Sequence, residues 1–265
     1  MAHSGRHGDL VDTVTALQRR WGQRAIYRPG DSPEPSVPVC PTGLCALDEA
    51  LGIGGLPRGA FSELIGYGTA GHFTVAAHTL AQAQRGGQPV AYIDVGAAAD
   101  VDGLARCGVR LEDLAILRPQ GFVHALAMTG DLLRAGGVAA VVFDRVQDLF
   151  LLADDDAWTQ FHRAVRDWTP VLARSLGTFL FITEASAPGI YPEDLPLPHM
   201  ASVRLAFRRQ QWLRRGPRVV GYLSRVTVLK NRHGPSGQSV TLTLAETVKG
   251  TPPEGPPAQI PFERT

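Results

Sequence analysis

The chain has 265 residues, 44% of them hydrophobic and 19% charged, and a formal net charge of +1. That is enough for one large α/β domain with a substantial core, and it provides no global field that commits the protein to nucleic acid or membrane. The three cysteines (Cys40, Cys45, Cys107) include no Cys-x-x-Cys pair, which argues against a disulfide framework or zinc site and for a reducing compartment. No run approaches the roughly 18 apolar residues of a membrane span, and the opening MAHSGRHGDLVDTV lacks the apolar stretch of a secretory signal, so the expected location is the cytoplasm.

Leu10, Val14, Leu17 and Trp21 recur at helical spacing over residues 9–22 and stop at Gly22. From Tyr27 to Pro41 five prolines and two carboxylates mark an extended arm. A regular alternation follows. Strands are predicted at 60–65, 89–94, 114–117, 138–144 and 178–183, with helices at 72–85, about 100–107, 122–135 and 158–177. Pro170 is expected to kink or split the last helix. VAAVVFD (138–144) is fully apolar up to its closing carboxylate, as a central parallel strand should be. Strands separated by helices imply a mostly parallel sheet covered on both faces.

The stretch 184–200 carries four prolines and little periodicity, and reads as a long loop, functional or disordered. Beyond it, consecutive β segments rich in Val, Leu and Arg predict an antiparallel extension of the sheet. The expected organisation is an N-terminal helix and arm (1–40), a core (41–248) and a proline-rich, unpacked tail (249–265). Trp158, Phe161, Val165 and Trp168 form an apolar helical stripe, read as core.

Between the first predicted strand and helix lies Gly66-Tyr67-Gly68-Thr69-Ala70-Gly71-His72-Phe73-Thr74. A phosphate-binding loop needs such glycines so that backbone N–H groups can surround the anion, followed by a lysine and a metal-holding hydroxyl. Gly66 and Gly71 are spaced correctly, but His72 stands at the lysine position and Phe73 at the hydroxyl position. A neutral imidazole is a poor substitute for a fixed ammonium, and a phenyl ring offers a metal no oxygen. Asp144 closes the apolar strand where such folds place a metal-associated carboxylate. Taken alone, the turn reads first as a strand–helix turn that needs glycine for geometry only, and Asp144 reads equally as an ordinary exit from a sheet.

In this order the pieces resemble the RecA recombinase family. LQRRWGQRAIYRPGD (17–31) is similar to that family's N-terminal helix and arm. PTGLCALDEALGIGGLPRGAFSELIG (41–66) resembles its signature before the phosphate loop, and PVAYIDVGAAAD (89–100) and VVFDRV (141–146) resemble its second strand and Walker B strand. ASVRLAFRR (201–209) and SRVTVLKNR (224–232) look like its C-terminal strands. The resemblance covers about 17–245 and implies a RecA-like, phosphate-loop α/β fold.

Matched residue by residue, the resemblance places the family's catalytic Glu at Gly96, its adenine-contacting Asp at Asp100, its stacking aromatic at Gly103 and its nucleotide-sensing Gln at Glu184. The positions for phosphate, metal, attacking water and sensing are thus all changed, and Asp144 is retained. The implied state is a pseudo-ATPase with no catalytic residue, no metal and weak or no ATP·Mg binding. Lys230 and Arg232 match two basic residues that in the family reach the ATP of a filament neighbour; they are equally readable as solvated residues at a strand end.

Nine basic residues and no acidic ones lie between Ala201 and Arg232. Arg204, Arg208, Arg209, Arg214 and Arg215 are candidates for DNA backbone contact, or for one solvated face of the extension. The family's DNA loops correspond to about 151–157 and 185–200, where this chain carries Asp154, Asp155, Asp156, Glu193 and Asp194, which repel phosphate. A short RecA-like chain with a degenerate site resembles the ImuA-type accessory proteins. That likeness implies a non-catalytic role in DNA repair and damage-induced translesion synthesis. The implied partners are RecA or its filament end, an ImuB-type scaffold or error-prone polymerase, and single-stranded DNA. The competing expectations are a DNA-dependent ATPase with a non-standard loop and a stand-alone single-stranded DNA-binding module.

Overall fold

The computed structural model describes residues 4–22, 37–150, 156–187, 191 and 195–245. Most of the arm, the acidic residues Asp154 and Asp155, Glu193 and Asp194, and the proline-rich tail lie outside the described residues. The chain divides into an N-terminal unit ending at Val37 and a core unit beginning at Pro38. In the first, helix α1 (Ser4–Trp21) starts earlier than its apolar spacing predicts. Arg19 and Arg20 in its last turn complement the helix dipole, and the Gly22 N–H closes it on the Gln18 carbonyl at 2.8 Å.

The core unit opens with β1 (Val39–Cys40), α2 (Cys45–Leu51) and β2 (Leu56–Pro57), the two short strands pairing antiparallel. Asp48 binds both the backbone N–H and the hydroxyl of Thr42, fixing the turn that enters α2. The main series then runs β3 (Ala60–Gly66), α3 (His72–Ala83), β4 (Val90–Asp94), α4 (Val101–Arg106), β5 (Leu114–Leu117), α5 (Phe122–Ala135), β6 (Ala140–Asp144), α6 (Ala157–Ser175) and β7 (Thr178–Glu184). It ends with α7 (Leu197–Met200), β8 (Val203–Arg215), β9 (Arg218–Asn231) and β10 (Ser239–Ala245). These build one eight-stranded sheet in the order β10-β9-β8-β3-β7-β6-β4-β5. The pairings from β5 to β8 are parallel, and β9 and β10 add the antiparallel extension.

Alternation within the strands divides the core in two. Leu180 and Ile182 of β7 face one layer with Leu64, Tyr92 and the Val75, Ala76 and Leu80 side of α3. Phe179 and Phe181 face the other, with Phe61, Phe143 and the Phe161, Val165 and Trp168 stripe of α6. Trp158 stacks on Phe150 at 3.7 Å, so the predicted stripe is core.

Two predicted features differ. α6 is one continuous helix through Pro170. Pro170 is exposed, and so is Arg166, whose carbonyl loses its helical partner there, so water can take that bond instead of the helix breaking. The described residues after β7 are also more structured than a loop. Leu195 and Leu197 are buried, Leu197 begins α7, and Tyr191 is anchored to the sheet.

That anchor is Glu63, fully buried in β3. Its carboxylate accepts hydrogen bonds from Thr183 (2.8 Å), Tyr191 (2.6 Å) and Arg204 (2.6 Å), with the Arg204 guanidinium lying over the Tyr191 ring at 4.7 Å. Arg204 is therefore not available to a DNA backbone. Its side chain is 14% exposed and is the counter-ion of a buried carboxylate. Removing one partner of a buried pair typically costs about 3–5 kcal/mol. Arg204→Ala should lose stability on that scale in urea unfolding, whereas Arg214→Ala, on an exposed position, should stay within about 0.5 kcal/mol of the parent.

Candidate functional site

In parallel α/β sheets ligands sit at the carboxyl ends of the strands. Here β3, β7, β6 and β4 end there together. The glycine turn runs from Gly66 to Gly71, and His72 opens α3 directly after it. The turn is held from one side by the extension. The Ser224 hydroxyl donates to the Ala70 carbonyl at 2.5 Å, and Arg209 donates to the Thr69 carbonyl at 3.0 Å. Thr74 bonds the Tyr222 hydroxyl at 3.1 Å, tying α3 to β9.

Parallel register sets Gly66 beside Glu184, the last residue of β7. The Glu184 carboxylate enters the turn, accepting from the Gly68 N–H on Oε1 at 2.5 Å and lying 3.4 Å from His72 Nε2 through Oε2. Burial would raise this carboxyl, but the His72 and Gly68 hydrogen bonds and the charges of His72 and Arg145 outweigh it and hold it below its ordinary value. The His72 imidazole is buried and lies against the turn so closely that a Cβ on Gly66 would fall 1.8 Å from Nδ1. That Nδ1 makes no hydrogen bond among the described residues. Phe73 points away from the turn, packing against the core edge-to-face with Tyr92 at 6.5 Å.

The register of β4 with β6 places Asp94 beside Asp144. Asp94 is buried and spoken for, by Arg118 at 3.0 Å and the Ala98 N–H at 2.9 Å. Asp144 is half-buried, and its carboxyl is raised chiefly by burial, with Asp94 adding to the effect and Tyr92, Arg145 and His72 opposing it. The Tyr92 hydroxyl, although close enough to act on Asp144, makes no hydrogen bond of acceptable geometry.

Arg145, immediately after Asp144, adopts a left-handed backbone (φ 51°), as does Ala97 (φ 50°). Such conformations cost non-glycine residues about 1–3 kcal/mol and cluster at functional sites. The turn brings the Arg145 guanidinium over Gly96, where a Cβ would fall 2.0 Å from Nη2, and pairs it with Asp148 at 3.1 Å. A side chain at position 96 would require the Arg145 guanidinium to move from this place. Asp100 is turned to a local task as well: it caps α4 through the Gly103 N–H at 2.7 Å and pairs with Arg106 at 3.3 Å.

Away from the cleft, Lys230 and Arg232 converge on the end of α7. Lys230 donates to the carbonyls of Pro198 (2.8 Å) and His199 (3.3 Å), and Arg232 to that of His199 (2.7 Å). Burial, then Arg232 and Arg204, push the Lys230 ammonium below its ordinary value. On the β8–β9 ribbon, Arg208, Arg209, Gln210, Gln211, Leu223 and Arg225 line an open depression of about 440 Å³. Arg208 stands directly opposite Arg225, and Arg215 opposite Arg218. Arg209 also lies over Trp212 at 4.2 Å. Arg214 and Arg215 are exposed near the ribbon tip.

Gly66, Gly71, His72, Glu184, Gly96 and Asp144 are thus brought to one edge, while Asp100 serves α4. Sequence reasoning missed Arg145, Asp94 with Arg118, and the Glu63 hub. The signal for Arg145 was present in VVFDRV, a cation directly after the strand-ending carboxylate.

A family model described as the RecA N-terminal domain matches residues 9–157, more than half of the chain. Curated relatives named Protein RecA are 36% identical over 253 residues in Bifidobacterium longum, 33% over 253 in Streptomyces avermitilis and 35% over 254 in Thermus thermophilus. Those alignments take in 88–89% of this chain, but 64%, 67% and 75% respectively of the relatives. With the eight-stranded sheet, the glycine turn before α3 and the carboxylate closing β6 all in place, the chain belongs to the RecA family.

Proposed function

We propose that this protein is a non-catalytic member of the family that works by contact, as an ImuA-type accessory to RecA and to an error-prone polymerase assembly in damage-induced translesion synthesis. The observation that carries the non-catalytic part is the occupation of the cleft by the protein's own charges. Glu184 holds the Gly68 N–H that would face a phosphate, and Arg145 covers the Gly96 position from which a base would reach water. A magnesium-bound triphosphate does not fit these residues. There is no ammonium at position 72, no hydroxyl at position 73, and a carboxylate in the turn that repels phosphate oxygens. Asp144 alone remains as a metal-facing carboxylate, and burial and Asp94 both favour its protonated form.

The contact part is supported by the side-by-side placement of Lys230 and Arg232 on α7. Two cations on one short helix end form a compact basic spot, suited to an acidic or phosphate-bearing face on a neighbouring RecA subunit. Purified protein should show no ATP turnover above background with or without single-stranded DNA. Turnover at a rate typical of RecA would replace this reading with the DNA-dependent ATPase. In co-sedimentation with RecA filaments, Lys230→Ala/Arg232→Ala should weaken binding by about thirtyfold or more, a hot-spot-sized loss; unchanged sedimentation would remove these residues from the contact.

A nucleic-acid contact is the second reading, favoured by one observation. Like charges directly opposite across strands are destabilising, yet Arg208 faces Arg225. A phosphodiester backbone laid along the ribbon would relieve that pair. Replacing Arg208, Arg209 and Arg225 by Ala should then flatten the salt dependence of single-stranded DNA binding, lowering the log–log slope by about 2 at roughly 0.7 per phosphate contact. A slope equal to the parent's would assign the arginines to the solvated face.

A further inference from the structure

Among the described residues, the group least accounted for by a merely abandoned cleft is Glu184. An abandoned loop needs no ligand, yet this one holds a carboxylate by both oxygens. The pairing Gly66↔Glu184 fixes where the side chain emerges. The strand end itself is pinned twice, by Glu184 N–H to the Gln147 side chain at 3.1 Å and Ala185 N–H to the Gly66 carbonyl at 2.6 Å. One oxygen then takes the Gly68 N–H at 2.5 Å and the other approaches His72 Nε2 at 3.4 Å. A second, independent feature points into the same cradle: the buried His72 ring, with an unpartnered Nδ1 pressed against Gly66.

We propose that Glu184 is a resident counter-anion of the glycine loop, its carboxylate standing where a phosphate oxyanion would stand and excluding free phosphate, polyphosphate and the phosphate chain of nucleotides from the cradle. The inference rests on the reading of the cleft as non-hydrolytic and names what keeps it so. A tethered carboxylate forfeits no translational freedom on binding, whereas a free anion forfeits several kcal/mol. It also carries one charge into a cradle whose flanking imidazole is not a fixed cation. The loop is thereby held from within the chain, and Glu184 decides what it accepts.

The charged and titratable groups facing Glu184 are His72 from α3 and Arg145 from the β6 end, with Asp144 beyond them. Because the folded carboxyl is held below its ordinary value, the clamp's contribution is present above the unfolded pKa of about 4.3 and is lost as pH falls through the lower folded value.

The test uses the full chain, wild type beside Glu184→Ala and Glu184→Gln, with inorganic pyrophosphate and magnesium-free ATP as probes and sodium sulfate at matched ionic strength as control. Two signals are read at pH 7.5: the melting temperature and the Gly68 amide resonance. Both should be unmoved by millimolar pyrophosphate in the wild type. In Glu184→Ala the Gly68 amide should move upfield, and either phosphate probe should return it downfield and raise the melting temperature by several degrees. If Glu184→Ala does not fold, Glu184→Gln carries the comparison, and the Gly68 amide of the wild type should still move on acidification below about pH 4. A wild type that responds to pyrophosphate as the variants do, variants that do not respond, or a response to ATP alone would each overturn the proposal. Turnover of ATP by the wild type would overturn the non-catalytic reading itself. A variant without anion response in an inert protein overturns only the counter-anion.

Discussion

The parallel register between β3 and β7 governs the chemistry of this molecule. It sets Gly66 opposite Glu184, so the residue that ends one strand always emerges beneath the turn that ends the other. With an uncharged acceptor there, the turn's N–H groups would remain free to receive a ligand. With a carboxylate there, a hydrogen bond to a charged acceptor forms within the chain. In the proposed reading, a single side-chain choice at a position fixed by the sheet closes the site to phosphate without disturbing a backbone bond.

The other half of the cleft obeys the same logic. β4 and β6 in register bring Asp94 and Asp144 together, an arrangement that in isolation repels. Arg118 relieves it on one side and Arg145 on the other. Arg145 reaches its place through a left-handed backbone, and Gly96 leaves the room for its guanidinium. The glycine and the arginine are thus linked: a side chain at position 96 would require this guanidinium to shift. Arg118 and Arg145 thus each stand against one of the two neighbouring carboxylates.

The elements of the fold were legible because their signals are local. Apolar runs bounded by glycines placed β5 and α5 as they stand, and the strand ends of β3, β6 and β7 to within two residues. The substitutions at His72, Phe73, Gly96 and Glu184 were legible too, since a matched motif exposes each position. What those side chains do instead was not legible. Glu184 meets Gly68 across 116 residues of sequence, and Arg204 meets Glu63 across 141; such pairs follow from register, which one-dimensional periodicity does not carry. Arg204 accordingly read as one arginine among many on an alternating strand, although its neighbour in space is a buried acid. Pro170 failed as a helix breaker for a different reason: the carbonyl it frees is at the surface.

The division between scaffold and site follows from these facts. The two hydrophobic layers lie on the faces of the sheet, and the glycine turn lies on its edge, so the aromatic packing of Phe61, Phe143, Phe179 and Phe181 does not depend on what fills the turn. The segment after β7 does depend on it, because Glu184 and Ala185 tie its start to the turn while Tyr191 ties its middle to Glu63. In a protein whose turn binds a diffusible ligand, that segment would gain and lose one of its anchors with each binding event. Here the anchor is covalently part of the chain. The end of α7 is held separately, by Lys230 on the Pro198 carbonyl and Arg232 on that of His199, so that end of the sheet is tied without reference to the turn.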